Sequence, residues 1–102
     1  MIDLTIIGDQ VDLKFNVDKL DASNSEAAKS AFKAQNVSKV KNANLHLEQL
    51  QFIDSSGVGA LLSIYKTFQA QGASVTLLKP TPAVLSVLEL LRLHRIFTIK
   101  MD

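Results

Sequence analysis

The chain has 102 residues and a mass of 11.2 kDa, the size of one domain spanning 1–102 with one core. Apolar residues make up 47% and charged residues 21%, ordinary globular values that exclude disordered and collagen-like chains. A net charge of +1, from 11 basic and 10 acidic residues, gives no basic excess for nucleic acid, and the lack of cysteine excludes disulfides and thiolate chemistry.

No apolar run approaches the roughly 18 residues that suggest a membrane span. Met1-Ile2-Asp3-Leu4 lacks the basic then apolar regions of a secretory leader. A cytoplasmic protein is the resulting expectation.

The first elements read as a hairpin. Leu4–Ile7 is β-prone, Gly8-Asp9-Gln10 is a turn, and Val11–Phe15 alternates apolar and polar. Lys19–Ala22 reads as irregular. Ser23-Asn24-Ser25-Glu26 has the form of a capping box, which predicts a helix start at Ser23. Ala27, Ala28, Ala31 and Phe32 follow at helical spacing and carry that helix to about Gln35. Ala43–Leu47 alternates as a strand, and Leu50, Phe52 and Ile53 continue the apolar content into Asp54-Ser55-Ser56-Gly57.

A second helix is the clearest in the chain. Val58, Leu61, Leu62, Tyr65 and Phe68 fall on one face, and Gly72 is placed to end it. Ser74–Leu78 reads as a strand. Thr81 as N-cap and Pro82 at the first helical position open a third helix that reaches about Leu91, with Val84, Val87, Leu88 and Leu91 toward the core. Ile96–Ile99 completes the order β-β-α-β-α-β-α-β. Strands joined by helices imply parallel pairs, so the expected fold is α/β: a mixed, mainly parallel open sheet with an N-terminal hairpin and about three helices.

The chemistry concentrates in Phe52-Ile53-Asp54-Ser55-Ser56-Gly57-Val58-Gly59, where a buried strand hands over to a helix. The first turn of a helix has unpaired N–H groups and the positive end of the dipole, which suit a phosphate. Gly57 and Gly59 remove bulk beside the serines and would let another backbone approach. The plainer account is an N-cap followed by two packing glycines, and on spacing alone it carries the segment.

A nucleophilic serine needs a base. His46 reads as the polar face of a strand and His94 as an exposed charge after the third helix, and there is no G-x-S-x-G elbow. Neither phosphate-binding glycine fingerprint is complete. Asp54 and Asp21 lack metal-ligand spacing, and Asp21 on its own reads as a turn residue.

Leu47-Glu48-Gln49-Leu50-Gln51-Phe52-Ile53-Asp54-Ser55-Ser56-Gly57-Val58-Gly59-Ala60-Leu61-Leu62 resembles the core signature of STAS domains, the fold of bacterial anti-sigma factor antagonists. Leu20-Asp21-Ala22-Ser23-Asn24 is similar to the family's loop before its first helix, and Val84–Phe97 to its last helix and strand. The resemblance covers nearly the whole chain. It implies a binding module switched by phosphorylation, with no cofactor, no metal and no catalysis of its own. Ser55 falls at the phosphoacceptor position, with Ser56 as the neighbouring alternative. Asp21, Asp54, Ser55, Ser56, Gly57 and Gly59 are the implied partner-binding residues.

The implied partners are a serine kinase of the histidine-kinase-like class, which doubles as anti-sigma factor, and a PP2C-type phosphatase. Neither nucleic acid nor a membrane is implied, and a monomer or weak dimer is expected. The alternative within the family is an unphosphorylated scaffold subunit, as in a lipid-transport ATPase, which the intact serine pair disfavours. The chain departs from the family at Arg92, where a glycine usually follows the last helix. The expectation there is a helix that runs on or ends differently.

Overall fold

The computed structural model describes residues 1–101. The hairpin forms from β1 (Ile2–Ile7) and β2 (Gln10–Phe15), antiparallel, with Ile7 opposite Gln10. Gly8, at φ 60°, takes the first of the two turn positions, the mirror-image geometry that matches strand twist. β4 (Asn42–His46), β6 (Ser74–Leu78) and β7 (Thr98–Lys100) add in parallel, giving the sheet order β1-β2-β4-β6-β7. Each parallel step moves the same way across the sheet. Crossover helices of one hand therefore pack on one face.

These helices are α1 (Ser25–Lys33), α2 (Ser55–Ala70) and α3 (Pro82–Leu90). Period-two alternation decides which strand residues they cover. Val11, Leu13, Phe15, Ala43, Leu45, Val75 and Leu77 are buried under them. α1 meets α2 through Phe32 and Phe68, edge to face with centroids 5.4 Å apart. The opposite sheet face is polar and open. On it His46 Nε2 lies 2.9 Å from Asp12 Oδ1, and Glu48 stands 3.6 Å from the other ring nitrogen.

α2 closes with a Schellman turn. Gly72 takes φ 76°, its N–H donates to the Gln69 carbonyl, and the Ala73 N–H donates to the Phe68 carbonyl. The Gln71 side chain just before it donates to the carbonyls of Val37 and Val40 at 2.7 and 2.8 Å. That pair of bonds fixes the loop between α1 and β4. α3 opens as expected, with Thr81 accepting from the Val84 N–H and Pro82 in the first turn.

Several expectations are corrected. Helix α1 starts at Ser25, not Ser23, and ends at Lys33 rather than near Gln35. The capping box does not form, because the Ser23 hydroxyl is drawn instead to Asp21. Lys19–Leu20 is a strand, β3, paired in parallel with β5 (Phe52–Ile53) in a separate two-stranded sheet. The last strand begins at Thr98, after a 3-10 turn over Leu93–Arg95. Leu91 is half exposed rather than in the core.

Arg92 behaves differently from the expectation of a changed helix end. It adopts φ 61°, ψ 25°, the left-handed conformation that a glycine would take there. Its N–H donates to the Glu89 carbonyl, as a C-terminal turn requires. The turn aims Leu93 and Phe97 into the core, where they are buried. Burial of two such side chains is worth about 1.5–3 kcal/mol each, against roughly 1–2 kcal/mol for the left-handed backbone. Packing wins, and the helix stops.

Candidate functional site

The small β3–β5 sheet builds the site. Leu20 and Ile53 pair and are both buried, which brings the residues after each strand together. After β3 comes the loop Asp21–Asn24, and after β5 come Asp54 and the first turn of α2. Asp54 has extended backbone, φ −115° and ψ −171°, and is the N-cap of α2. One oxygen, Oδ1, accepts from the Gly57 N–H at 3.0 Å. The other, Oδ2, accepts from the Ala22 N–H at 3.3 Å. One carboxylate thus caps the helix and ties the loop to it.

The loop is braced from within. Asp21 Oδ1 accepts from both the hydroxyl and the N–H of Ser23. Hydrogen bonds from the Ser23 hydroxyl, then from its backbone N–H, hold the Asp21 carboxyl below the usual 3.8, with a smaller contribution from Lys19. Asn24 accepts from the Asp21 N–H at 2.9 Å and donates to the Lys19 carbonyl at 2.8 Å.

Ser55 is the first residue of α2 and is exposed, while Ser56 is half-buried. Because Asp54 does the capping, the Ser55 hydroxyl is not needed as the cap. Its N–H lies ahead of the first intrahelical bond, from the Val58 N–H to the Asp54 carbonyl. The site is acidic on one side and dipole-positive on the other.

The two glycines separate. A Cβ on Gly57 would stand 2.1 Å from the Leu20 carbonyl oxygen, so its space is filled by this chain's own backbone and not by a partner's. A Cβ on Gly59 would meet nothing within 4 Å. Gly59 lies one turn after Ser55, on the same side of the helix. Asp21, Asp54, Ser55, Ser56 and Gly59 are therefore gathered at one end of the molecule, with Gly57 as the packing point beneath them.

The histidines are committed elsewhere, His46 to Asp12 and Glu48 on the open sheet face and His94 to the 3-10 turn. Among the described residues there is no pocket and no cluster of three metal-ligating side chains. What the arrangement offers is a surface with an accessible hydroxyl. Sequence reasoning missed two of its residues. Asn24 passed as part of a capping box, although an Asx residue beside a turn is a signal for bracing. Phe52 passed as part of an apolar run, yet it is 54% exposed.

The STAS domain family model matches residues 2–102. The chain belongs to the STAS domain family. This STAS domain is similar to a Thermotoga maritima protein assigned as an anti-sigma factor antagonist. That match has 28% identity and a TM-score of 0.79, over 96% of this chain and 84% of that one. It also resembles the anti-sigma factor antagonist SpoIIAA in its unphosphorylated form, at 23% identity and TM-score 0.79, over 100% of this chain and 90% of that one. The Bacillus cell fate determinant SpoIIAA in its phosphorylated form matches at 22% identity and TM-score 0.72, over 100% and 93%. No helix among the described residues is long and apolar enough to cross a membrane.

Proposed function

We infer that this STAS domain is a phosphorylation-switched binding module of the anti-sigma factor antagonist kind, acting in the bacterial cytoplasm. The unmodified protein binds a histidine-kinase-like serine kinase that is also the anti-sigma factor. Phosphorylation of Ser55 releases it, and a PP2C-type phosphatase restores it. The domain works by binding and not by catalysis. The observation that carries this reading is the exposed Ser55 hydroxyl at the first position of α2, relieved of capping by Asp54. The greater exposure of Ser55 favours it over Ser56. That SpoIIAA is known in both phosphorylated and unphosphorylated forms supports the same reading.

Physical chemistry supplies the switch. A phosphoserine carries about −1.5 to −2 charges at neutral pH. At Ser55 it would stand beside the Asp54 carboxylate, and the helix N-terminus offsets only part of that repulsion. Placed in a desolvated interface, a dianion is costly unless the partner supplies cations. With the loss of one or two central contacts, several kcal/mol are at stake, or about 10²–10³-fold in affinity.

Peptide-mapping mass spectrometry of the protein from its native cells tests the site. The expected result is a phosphate on Ser55 that disappears in Ser55→Ala. A phosphate on Ser56 moves the site by one residue, and none under any growth condition overturns the switch. Binding to the purified kinase should fall 10²–10³-fold on phosphorylation. Affinity unchanged by authentic phosphoserine at residue 55 would count against release as the mechanism.

A further inference from the structure

Four of the five phenylalanines, Phe15, Phe32, Phe68 and Phe97, are buried at 4% exposure or less. Phe52 is the exception at 54%. Its place in the small sheet explains why. In β5 the side chains alternate, so Ile53 turns into the core and Phe52 turns out. Its partner across the ladder is Lys19, also exposed, while Leu20 pairs with Ile53 on the inner side. The outward face of this sheet therefore carries an aromatic and a basic residue at paired positions. The backbone beneath is fixed, since the N–H groups of Gln51 and Phe52 both donate to the Asp18 carbonyl, at 2.7 and 3.1 Å.

Both residues flank the site. Phe52 precedes Asp54 and Ser55 in the chain, and Lys19 precedes Asp21. A stable protein interface covers about 800 Å² on each partner, more than one loop and the first turn of a helix present. Any partner that covers Ser55 extends onto its neighbours, and the outer face of the small sheet is one of them. A half-exposed aromatic on a hydrogen-bonded backbone has the properties of an interface anchor. It loses little conformational freedom on docking and gains a large apolar contact.

Resting on the functional reading above, we propose that Phe52 is the aromatic anchor of the kinase-binding surface, filling an apolar pocket on the kinase, with Lys19 beside it setting the rim contact. The anchor contributes affinity that does not depend on the state of Ser55. Ser55 supplies the switch and Phe52 the grip.

The test uses purified full-length protein as substrate, with ATP and an extract of the native cells as kinase source. Phosphate incorporation at Ser55 is followed as a function of protein concentration. At low concentration, Phe52→Ala should be phosphorylated at least tenfold more slowly than the unaltered protein. At saturating concentration its rate should recover, the sign of a KM effect. Ile7→Ala removes a still more exposed apolar side chain beside the hairpin turn and should change nothing.

If Phe52→Ala lowers the melting temperature enough to confuse the reading, Lys19→Glu carries the test on the same face, with a loss of several-fold at low concentration. A wild-type rate for both variants overturns the anchor and leaves the switch standing. A slow rate that saturation does not restore overturns docking as the role of Phe52. Absence of any phosphate on Ser55 in the unaltered protein overturns the switch, and the anchor with it.

Discussion

Gly57 and Gly59 sit in the first two turns of one helix and have opposite reasons to be glycine. At Gly57 a methyl group would run into the Leu20 carbonyl at 2.1 Å, and a backbone carbonyl cannot step aside like a side-chain tip. Gly57→Ala should destabilise the domain by about 2–3 kcal/mol in urea unfolding, the cost of overpacking. At Gly59 the space is open, so Gly59→Ala should raise stability by about 0.5–1 kcal/mol through helix propensity alone. On the proposed reading, the same variant should bind a partner kinase more weakly while melting at a higher temperature. Arg92→Gly should add about 1 kcal/mol by relieving the left-handed backbone at φ 61°. The D-S-S-G-V-G pattern gave both glycines one meaning. Only the distant Leu20, which enters through a strand two residues long, separates them.

Among the elements, α3 is held by a cap with two jobs. Thr81 Oγ1 accepts from the Val84 N–H and donates to the Leu50 carbonyl at 2.8 Å, which joins the helix start to the segment leading into β5. Thr81→Ala should cost about 1–2 kcal/mol in thermal or urea unfolding, with Thr81→Ser recovering most of it. The pairing of β2 with β4 is pH-sensitive through Asp12. Its hydrogen bond to His46 is the main cause holding its carboxyl below 3.8, with Gln10 and Asn44 assisting. A depressed folded-state pKa stabilises above the unfolded value and is lost as pH falls through the folded one. Unfolding midpoints measured from pH 5 downward should therefore drop below about pH 3.8, and less steeply in Asp12→Asn. The long elements were legible because periodicity accumulates over five or more residues, as in Ser74–Leu78 and α2. A two-residue strand has no period to read, so β3 passed as irregular, and β5 was legible only as the apolar end of a buried strand leading into Asp54. The capping box misled because Ser23 found a nearer acceptor in Asp21.

At the scale of the molecule, the sheet order follows from the chain order of the longer elements, and the STAS resemblance located the Ser55 turn. What neither could supply was how the Asp21 loop reaches that turn. It does so by two ladder pairs, Lys19 with Phe52 and Leu20 with Ile53, and by the carboxylate of Asp54. The five-stranded sheet is tied by many more rungs. Hydrogen exchange should reflect this division. Amides of Leu45 and Leu77 should exchange only on global unfolding, while those of Ala22 and Asp54 should exchange through a smaller, local opening. The end of the molecule that carries Ser55 then has a melting equilibrium of its own. A substitution that weakens only those two rungs would leave a protein with a native spectrum and a nearly native unfolding midpoint, yet with the Ser55 surface no longer held in one shape.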